Sequence, residues 1–92
     1  MSYQIKTTRQ FEKQLSKLDR QASRTILRWL SKHIDGAANP RISGKALLGN
    51  YAGQWRYRIG DYRVICKING DELIVLALEV GHRKQVYKNK NS

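Results

Sequence analysis

The chain has 92 residues, of which 18 are Lys or Arg and 7 are Asp or Glu, so its formal net charge at pH 7 is +11. A chain of this length forms one small domain. We expect residues 1–92 to be that domain, with residues 88–92 as a basic tail. The many like charges repel one another in the folded chain. So large a positive charge is typical of proteins with a polyanionic partner, which can be nucleic acid, an acidic protein or anionic lipid.

The sequence argues against several classes of protein. The single cysteine, Cys66, lies in an apolar run, which indicates a small buried side chain in a reducing compartment. No apolar stretch reaches the length of a membrane span, and the first ten residues lack the apolar core of a signal peptide. No Cys and His residues have zinc-site spacing, and there is no Gly-rich phosphate loop. The sequence therefore predicts a soluble cytoplasmic protein without a membrane partner, a metal or a small-molecule cofactor.

The first half of the chain predicts one strand and two helices. Residues 3–7 alternate between apolar and polar side chains, as in a short strand. Apolar residues at helical spacing follow between 11 and 18, after a capping threonine that is either Thr7 or Thr8. A second helix is predicted from Asp19 to Ile34.

This second helix is predicted to begin at a capping Asp19 and to end before Gly36. We expect the outward side of both helices to be a solvated basic surface that adds a general attraction for a polyanion. The inward side of the second helix comprises Ala22, Ile26, Trp29, Leu30 and His33. The basic outward side of the two helices comprises Lys13, Lys17, Arg20, Arg24, Arg28 and Lys32.

The second half of the chain predicts three strands after an irregular connection over residues 36–50. Compact turns at Gly60-Asp61 and Asn69-Gly70 separate these strands. The order of elements predicts an α+β fold, in which an N-terminal strand and a two-helix hairpin pack on a mostly antiparallel sheet. The three strands are predicted over Gln54–Ile59, Tyr62–Ile68 and Glu72–Val80, and the last is apolar enough to be covered on both faces.

Three arginines, Arg56, Arg58 and Arg63, are interleaved with aromatic residues in the run GQWRYRIGDYRVICKING. With a two-residue loop at Gly60-Asp61, Arg58 lies directly opposite Arg63, and side-chain alternation places all three arginines on one face. Like charges opposed across a hairpin destabilise it. Because guanidinium groups bind phosphate oxygens through paired hydrogen bonds, the arrangement predicts an anion-binding surface.

A second cluster of basic residues lies near the C-terminus, in the run VGHRKQVYKNK. This run contains His82, Arg83, Lys84 and Tyr87. Histidine is the side chain whose unperturbed pKa lies nearest neutrality, so His82 is a candidate proton carrier. Tyr87 is a candidate for stacking on a base or, if neighbouring positive charge lowers its pKa, for proton transfer. Such a site suits metal-free cleavage of RNA, because the 2′-hydroxyl of RNA is itself the nucleophile.

Structural alternatives stay open for these residues. The arginines can form a solvated face whose repulsion is screened by salt, or one of them can pair with Asp61 or Glu79. His82 can be an ordinary polar residue at the end of a strand, and Tyr87 can be an aromatic side chain that covers the edge of the core.

Three segments, residues 45–49 (KALLG), 53–68 and 80–87 (VGHRKQVY), resemble the RelE/ParE superfamily of toxin–antitoxin toxins, and more closely its RelE branch. The resemblance covers essentially the whole chain and implies the RelE-like microbial RNase fold, with a curved sheet. It also implies a metal-free endoribonuclease that enters the ribosomal A site, contacts 16S rRNA and cuts the mRNA there. The implied partners are the ribosome with its mRNA and a RelB-like antitoxin that wraps the toxin.

The resemblance also assigns roles to single residues. Arg63 and Arg83 match two arginines that contact the phosphate, and Tyr87 matches a C-terminal tyrosine that stacks on the nucleotide. The candidate catalytic residues are Arg56, Arg58, Arg63, His82, Arg83 and Tyr87, and the candidate RNA-binding residues are Lys45, Lys84 and Lys88.

One departure from the family leaves the general base open. Arg56 and Arg58 match two basic positions on the family's active-site strand, where prominent RelE members carry lysines. Arginine does not give up its proton, so His82 and Tyr87 remain the candidates for proton transfer. Two other functions stay open as well. ParE-like toxins share the fold but poison DNA gyrase, and a non-catalytic nucleic-acid-binding module accounts for the charge alone.

Overall fold

The computed structural model describes residues 1–84 and shows the α+β architecture that the sequence predicts. Within this part of the chain, no helix is long and apolar enough to cross a membrane. The strands and helices are β1 (Gln4–Thr7), α1 (Arg9–Ser16), α2 (Arg20–His33), β2 (Lys45–Ala46), β3 (Trp55–Ile59), β4 (Tyr62–Asn69) and β5 (Ile74–His82), with a 3₁₀ turn over Gly49–Tyr51.

Both helices begin at capping residues that the sequence predicts. The Thr8 hydroxyl oxygen accepts a hydrogen bond of 3.1 Å from the Phe11 N–H, and the Asp19 carboxylate accepts one of 2.7 Å from the Ala22 N–H. Such a cap stabilises a helix by about 1 kcal/mol. The Ser23 hydroxyl then donates to the Leu15 carbonyl at 2.8 Å, which ties the two helices together across their short connection.

The five strands form one sheet in the order β1-β5-β4-β3-β2. β1 pairs with β5 in parallel and the other pairs are antiparallel, so the predicted mostly antiparallel sheet is confirmed. The helices cover one side of the sheet, which we call the core face. Its largest fully buried side chains include Phe11, Ile26 and Tyr57. The inward position predicted for His33 is wrong, because this ring is exposed and lies against Trp29, with ring centroids 4.9 Å apart.

The last strand begins and ends later than the sequence predicts. Residues 71–73 belong to the turn, because the Asn69 side-chain oxygen accepts hydrogen bonds from the N–H groups of Asp71 and Glu72, at 3.0 and 3.1 Å. Leu73 then adopts a positive φ of 57°, which is incompatible with an extended strand. At the other end, Gly81 and His82 stay in the ladder opposite Arg63 and Tyr62.

The predicted irregular connection contains a short strand, β2, that pairs with the start of β3. Two aromatic side chains of β3 hold this connection against the sheet. The Trp55 indole N–H donates to the Ser43 carbonyl at 2.8 Å, and the buried Tyr57 hydroxyl donates to the Pro40 carbonyl at 2.6 Å. The aromatic residues between the arginines therefore have a structural role.

A β-bulge in β5 changes which side chains reach each face of the sheet. Ile65 pairs with Glu79, whereas the next residue, Cys66, pairs with Ala77, so Leu78 is an extra residue on β5. Alternation resumes on the far side of the bulge with Glu79 directed away from the core face and Val80 directed into it.

Replacing Gly44 should detach β2 from the sheet. Gly44 has φ +86°, and a Cβ there would lie 2.4 Å from both the Arg56 carbonyl oxygen and the Trp55 indole nitrogen. Gly53, with φ +91° and open space around it, is the matched control. We expect Gly53→Ala to cost about 1–3 kcal/mol of unfolding free energy for the strained backbone, and Gly44→Ala to cost more because of the added clash. Chemical denaturation measures both, and equal losses would contradict this account.

Burial should make the Cys66 thiol unreactive in the folded protein. The side chain is fully buried, as the sequence predicts, and burial raises its thiol pKa from 9.0 to about 12. Since the folded state holds this proton more tightly than the unfolded state, the contribution to stability is intact below pH 9. It is lost as the pH rises from 9 toward 12, at ~1.4 kcal/mol per pH unit.

Two measurements check this prediction. Iodoacetamide at pH 8 should modify Cys66 only after denaturant is added, and rapid alkylation of the native protein would contradict the buried position. Between pH 9 and pH 10, the unfolding free energy of Cys66→Ala should fall less steeply than that of the wild-type protein.

Candidate anion-binding face

The sheet face away from the helices carries the predicted arginine cluster. Arg58 pairs directly with Arg63 across the Gly60-Asp61 hairpin, as predicted, and Lys45 pairs with Arg56 in the neighbouring row. Directly paired residues project to the same side of a sheet, so these four cations share one surface. We call it the arginine face, and its members are Lys45, Arg56, Arg58, Arg63, Ile65 and Glu79.

Exposure on the arginine face decreases from its β2 edge toward β5. Lys45 and Arg58 are exposed and Arg56 is half-buried. Arg63 is only 8% exposed, and Ile65 is fully buried although it is not part of the core under the helices. The face therefore combines exposed cations at an open edge with a buried, hydrogen-bonded guanidinium near its centre.

Arg63 is anchored to its own hairpin. One terminal nitrogen of its guanidinium donates to the Gly60 carbonyl at 3.1 Å and to the Tyr62 carbonyl at 3.0 Å. Gly60 has φ +59°, which the two-residue turn requires and glycine adopts without strain. The turn thus sets both the register that opposes the two arginines and the orientation of one of them.

Glu79 was not among the site residues predicted from the sequence, where it was only a possible ion-pair partner of an arginine. Its carboxylate side chain is 3% exposed and shares a row with Ile65 and Arg56. The sequence signal was the lone acidic residue near the end of an otherwise apolar run. The face to which it points depends on the bulge, which local alternation does not predict.

His82 lies on the other side of the sheet. It pairs with Tyr62, and the two rings meet edge to face with centroids 5.9 Å apart. Tyr62 in turn lines a cavity of about 290 Å³ together with Ala22 and Ile26 of α2. The structure therefore does not bring His82 together with the arginines. Its ring nitrogen Nδ1 instead accepts a hydrogen bond of 3.3 Å from the Lys84 N–H.

The remaining predicted residues follow β5. Arg83 and Lys84 are exposed, and the Arg83 N–H donates to the Asp61 carbonyl at 2.8 Å, which holds this turn beside the hairpin. Tyr87 and Lys88 lie outside the described residues. Among residues 1–84 there is no group of three or more His, Cys, Asp or Glu side chains that could hold a metal ion.

Comparison with known proteins gives one family model and several similar structures. The model of the ParE toxin of the type II toxin–antitoxin system, parDE, matches residues 5–87. No curated protein sequence matches the chain significantly.

Three of the similar structures are RelE toxins. The RelBE2 toxin–antitoxin complex of Mycobacterium tuberculosis has a TM-score of 0.77 at 26% identity, over 90% of this chain and 100% of that chain. The RelE–RelB complex of Pyrococcus horikoshii OT3 has a TM-score of 0.70 at 27% sequence identity, and the match covers 94% of this chain and 100% of that chain. A free E. coli RelE mutant has a TM-score of 0.75 at 17% sequence identity, and the match covers 98% of this chain and 93% of that chain. This likeness shows the shared fold.

The chain therefore belongs to the ParE toxin family of the RelE/ParE superfamily. Its structural relatives place it in the RelE branch, so it is the toxin of a type II toxin–antitoxin pair and its partner is an antitoxin.

Replacing Arg58 should stabilise the protein and weaken its affinity for phosphate. Arg58→Gln removes the like-charge pair with Arg63, which should raise the unfolding free energy by about 0.5 kcal/mol. Inorganic phosphate should raise the thermal midpoint of the wild-type protein by binding only the folded state, and should do so less for the variant. Lys67→Gln is the control. This exposed lysine lies on the same side of the sheet, two positions beyond Ile65, but the residue opposite it is the apolar Leu76 and not a cation. An Arg58→Gln midpoint at or below that of the wild type would contradict the repulsion argument.

Proposed function

We propose that this toxin is a metal-free endoribonuclease that cleaves mRNA in the ribosomal A site and so inhibits translation in the cytoplasm. The observation that supports this function most strongly is the pairing of Arg58 with Arg63, beside Lys45 and Arg56. Four cations in two adjacent rows of one sheet face oppose folding. They suit a phosphodiester, whose negative charge grows as its phosphorus is attacked.

The proposed reaction uses the 2′-hydroxyl of the RNA as the nucleophile. Its oxygen loses a proton and bonds to phosphorus, while the bond to the 5′-oxygen breaks and that oxygen takes up a proton. The products are a 2′,3′-cyclic phosphate and a free 5′-hydroxyl. The protein has to orient the attacking oxygen, stabilise the charge on phosphorus and move two protons.

The arginines supply orientation and charge stabilisation in this scheme. Arg58 is exposed and meets the phosphate first. Arg63, whose guanidinium is fixed by two hairpin carbonyls, is preorganised for the charge that develops later. Because arginine keeps its proton, another residue moves the protons. Tyr87, which matches the family's C-terminal tyrosine, is our candidate.

A second basic surface supports the ribosome as the place of action. Arg20, Arg24 and Arg28 are exposed on α2 and line a shallow cavity of about 430 Å³. Their i,i+4 spacing makes them repel one another, and the first turn of α2 contains no acidic residue. The surface faces away from the sheet, opposite the arginine face. Cationic surfaces on both sides suit a partner that surrounds the domain with phosphates, as ribosomal RNA does.

Purified toxin should cut mRNA on ribosomes stalled at a defined codon. We expect primer extension to show a new 5′ end inside the A-site codon, which is absent when the same RNA lacks ribosomes. Arg58→Ala should reduce the cleavage rate by about 100-fold or more, whereas Lys67→Ala should cleave like the wild type. Intact mRNA from folded wild-type protein would contradict the proposed function.

Gyrase poisoning is the second candidate function, since the matching family model describes ParE toxins. A supercoiling assay with purified DNA gyrase separates the two. Inhibition of supercoiling together with intact mRNA would favour the gyrase target.

Replacing His82 and Tyr87 separately should identify the proton carrier. Because His82 lies on the core face against Tyr62, we expect His82→Gln to keep the cleavage rate within a few-fold. Tyr87→Phe should reduce single-turnover cleavage by about 100-fold or more. A loss of that size in His82→Gln, with its thermal midpoint unchanged, would instead assign the proton transfer to His82.

A further inference from the structure

Glu79 is a buried carboxylate on a surface otherwise rich in cations. It is 3% exposed, and it has an interaction partner in the structure, as do Arg56 and Arg63. Burying a carboxylate costs several kcal/mol unless charge pairing and hydrogen bonds offset the loss of water. Sheet surfaces that only need to be soluble keep their carboxylates exposed, so the position of Glu79 calls for a specific explanation.

The bulge in β5 is what directs Glu79 to the arginine face. Val75 and Ala77 both point into the core, so strict alternation would carry Glu79 into the core as well. The extra residue Leu78 reverses the alternation, which sends Val80 into the core and Glu79 to the other side. Bulges are frequent next to functional sites, where they re-aim a side chain.

Helix α1 fixes this bulge through polar contacts. The Thr8 N–H donates to the Ala77 carbonyl at 3.1 Å, and the Thr8 hydroxyl lies 3.2 Å from the carbonyl oxygens of both Ala77 and Leu78. The Val80 N–H donates to the side-chain oxygen of Gln14 at 2.9 Å. β1 ends at Thr7, so these backbone groups of β5 lie beyond their partner strand. Thr8 and Gln14 bind them instead and hold the bulged segment from the helix side of the sheet.

The register places Glu79 within reach of two arginines. Arg63 lies diagonally across from it, at a Cα separation of about 7–8 Å for such neighbours, and the residue directly opposite Arg63 is Gly81, which has no side chain to intervene. Arg56 lies in the same row as Glu79, on the other side of Ile65. Long arginine side chains span such distances.

We propose that Glu79 is a positioning residue, which holds the guanidinium groups of Arg63 and Arg56 in the orientation that receives the phosphate. This inference rests on the proposed function. A carboxylate beside the arginines lowers the positive potential of the face, so it weakens general attraction for RNA. What it contributes is a fixed donor geometry, and catalysis depends on that geometry more than on net charge.

A positioning role for Glu79 predicts that its replacement changes the cleavage rate without lowering the affinity for RNA. Glu79→Gln keeps the side-chain shape and removes one negative charge. We expect it to bind a non-cleavable 2′-deoxy-substituted oligonucleotide at least as tightly as the wild type, and to cleave ribosome-bound mRNA about 100-fold more slowly in single turnover. Asp71→Asn, at an exposed turn position, is the matched control for the change in charge and should cleave at the wild-type rate.

If affinity and cleavage rate rise together, Glu79 acts only through its charge, and the positioning role is overturned. If the rate is unchanged in a variant with wild-type thermal midpoint, the role is also overturned. If the variant does not fold, Gln14→Ala perturbs the bulge from the α1 side and should slow cleavage in the same direction. Wild-type cleavage by Gln14→Ala would then count against the proposal.

A measurement on the free protein keeps this inference separate from the nuclease activity. In the wild type, the side-chain Nε–H signal of Arg63 in a ¹⁵N-resolved NMR spectrum should be sharp and protected from exchange with water. In Glu79→Gln it should shift and lose that protection. An unchanged Arg63 signal would overturn the positioning role even if the wild type cleaves mRNA. A changed signal without cleavage by the wild type would show that Glu79 holds Arg63 and that the proposed function is the part that fails.

Discussion

The two-residue turn at Gly60-Asp61 is the constraint on which the rest of this structure depends. It fixes the register of β3 against β4, and a slip of one residue would send every side chain of a strand to the opposite face. With the observed register, Tyr57 and Val64 enter the core, while Arg58 and Arg63 meet on the other side. The same turn accepts the hydrogen bond that fixes Arg63 and the one that holds the chain at Arg83.

The sequence predicted well the features that depend on neighbouring residues. Each of these features depends on residues only a few positions apart in the chain: the caps at Thr8 and Asp19, the hairpin turn and the opposed arginines. Features set by distant contacts were not predicted, among them the strand order, the pairing of β2 and the bulge at Leu78. The faces of His82 and Glu79 belong to this second group, because both depend on how β5 aligns with β4.

Like charges on both outer surfaces of the toxin lower the stability of its fold. On the sheet, Arg58 opposes Arg63, and on α2 three arginines repeat at i,i+4 without an acidic residue in the first turn. Either arrangement is tolerable because the buried core between them is continuous from Phe11 to Val80. In the proposed function, the phosphates of an RNA target relieve this repulsion.

The most direct test of this account is a cryo-EM structure of the toxin on a ribosome whose A-site codon carries 2′-deoxy nucleotides, which removes the nucleophile and preserves the substrate. We expect one phosphate of that codon within hydrogen-bond distance of the guanidinium groups of Arg58 and Arg63, with the arginines of α2 on ribosomal RNA. A toxin bound with its arginine face away from the mRNA, or with no phosphate between those two side chains, would contradict the central claim.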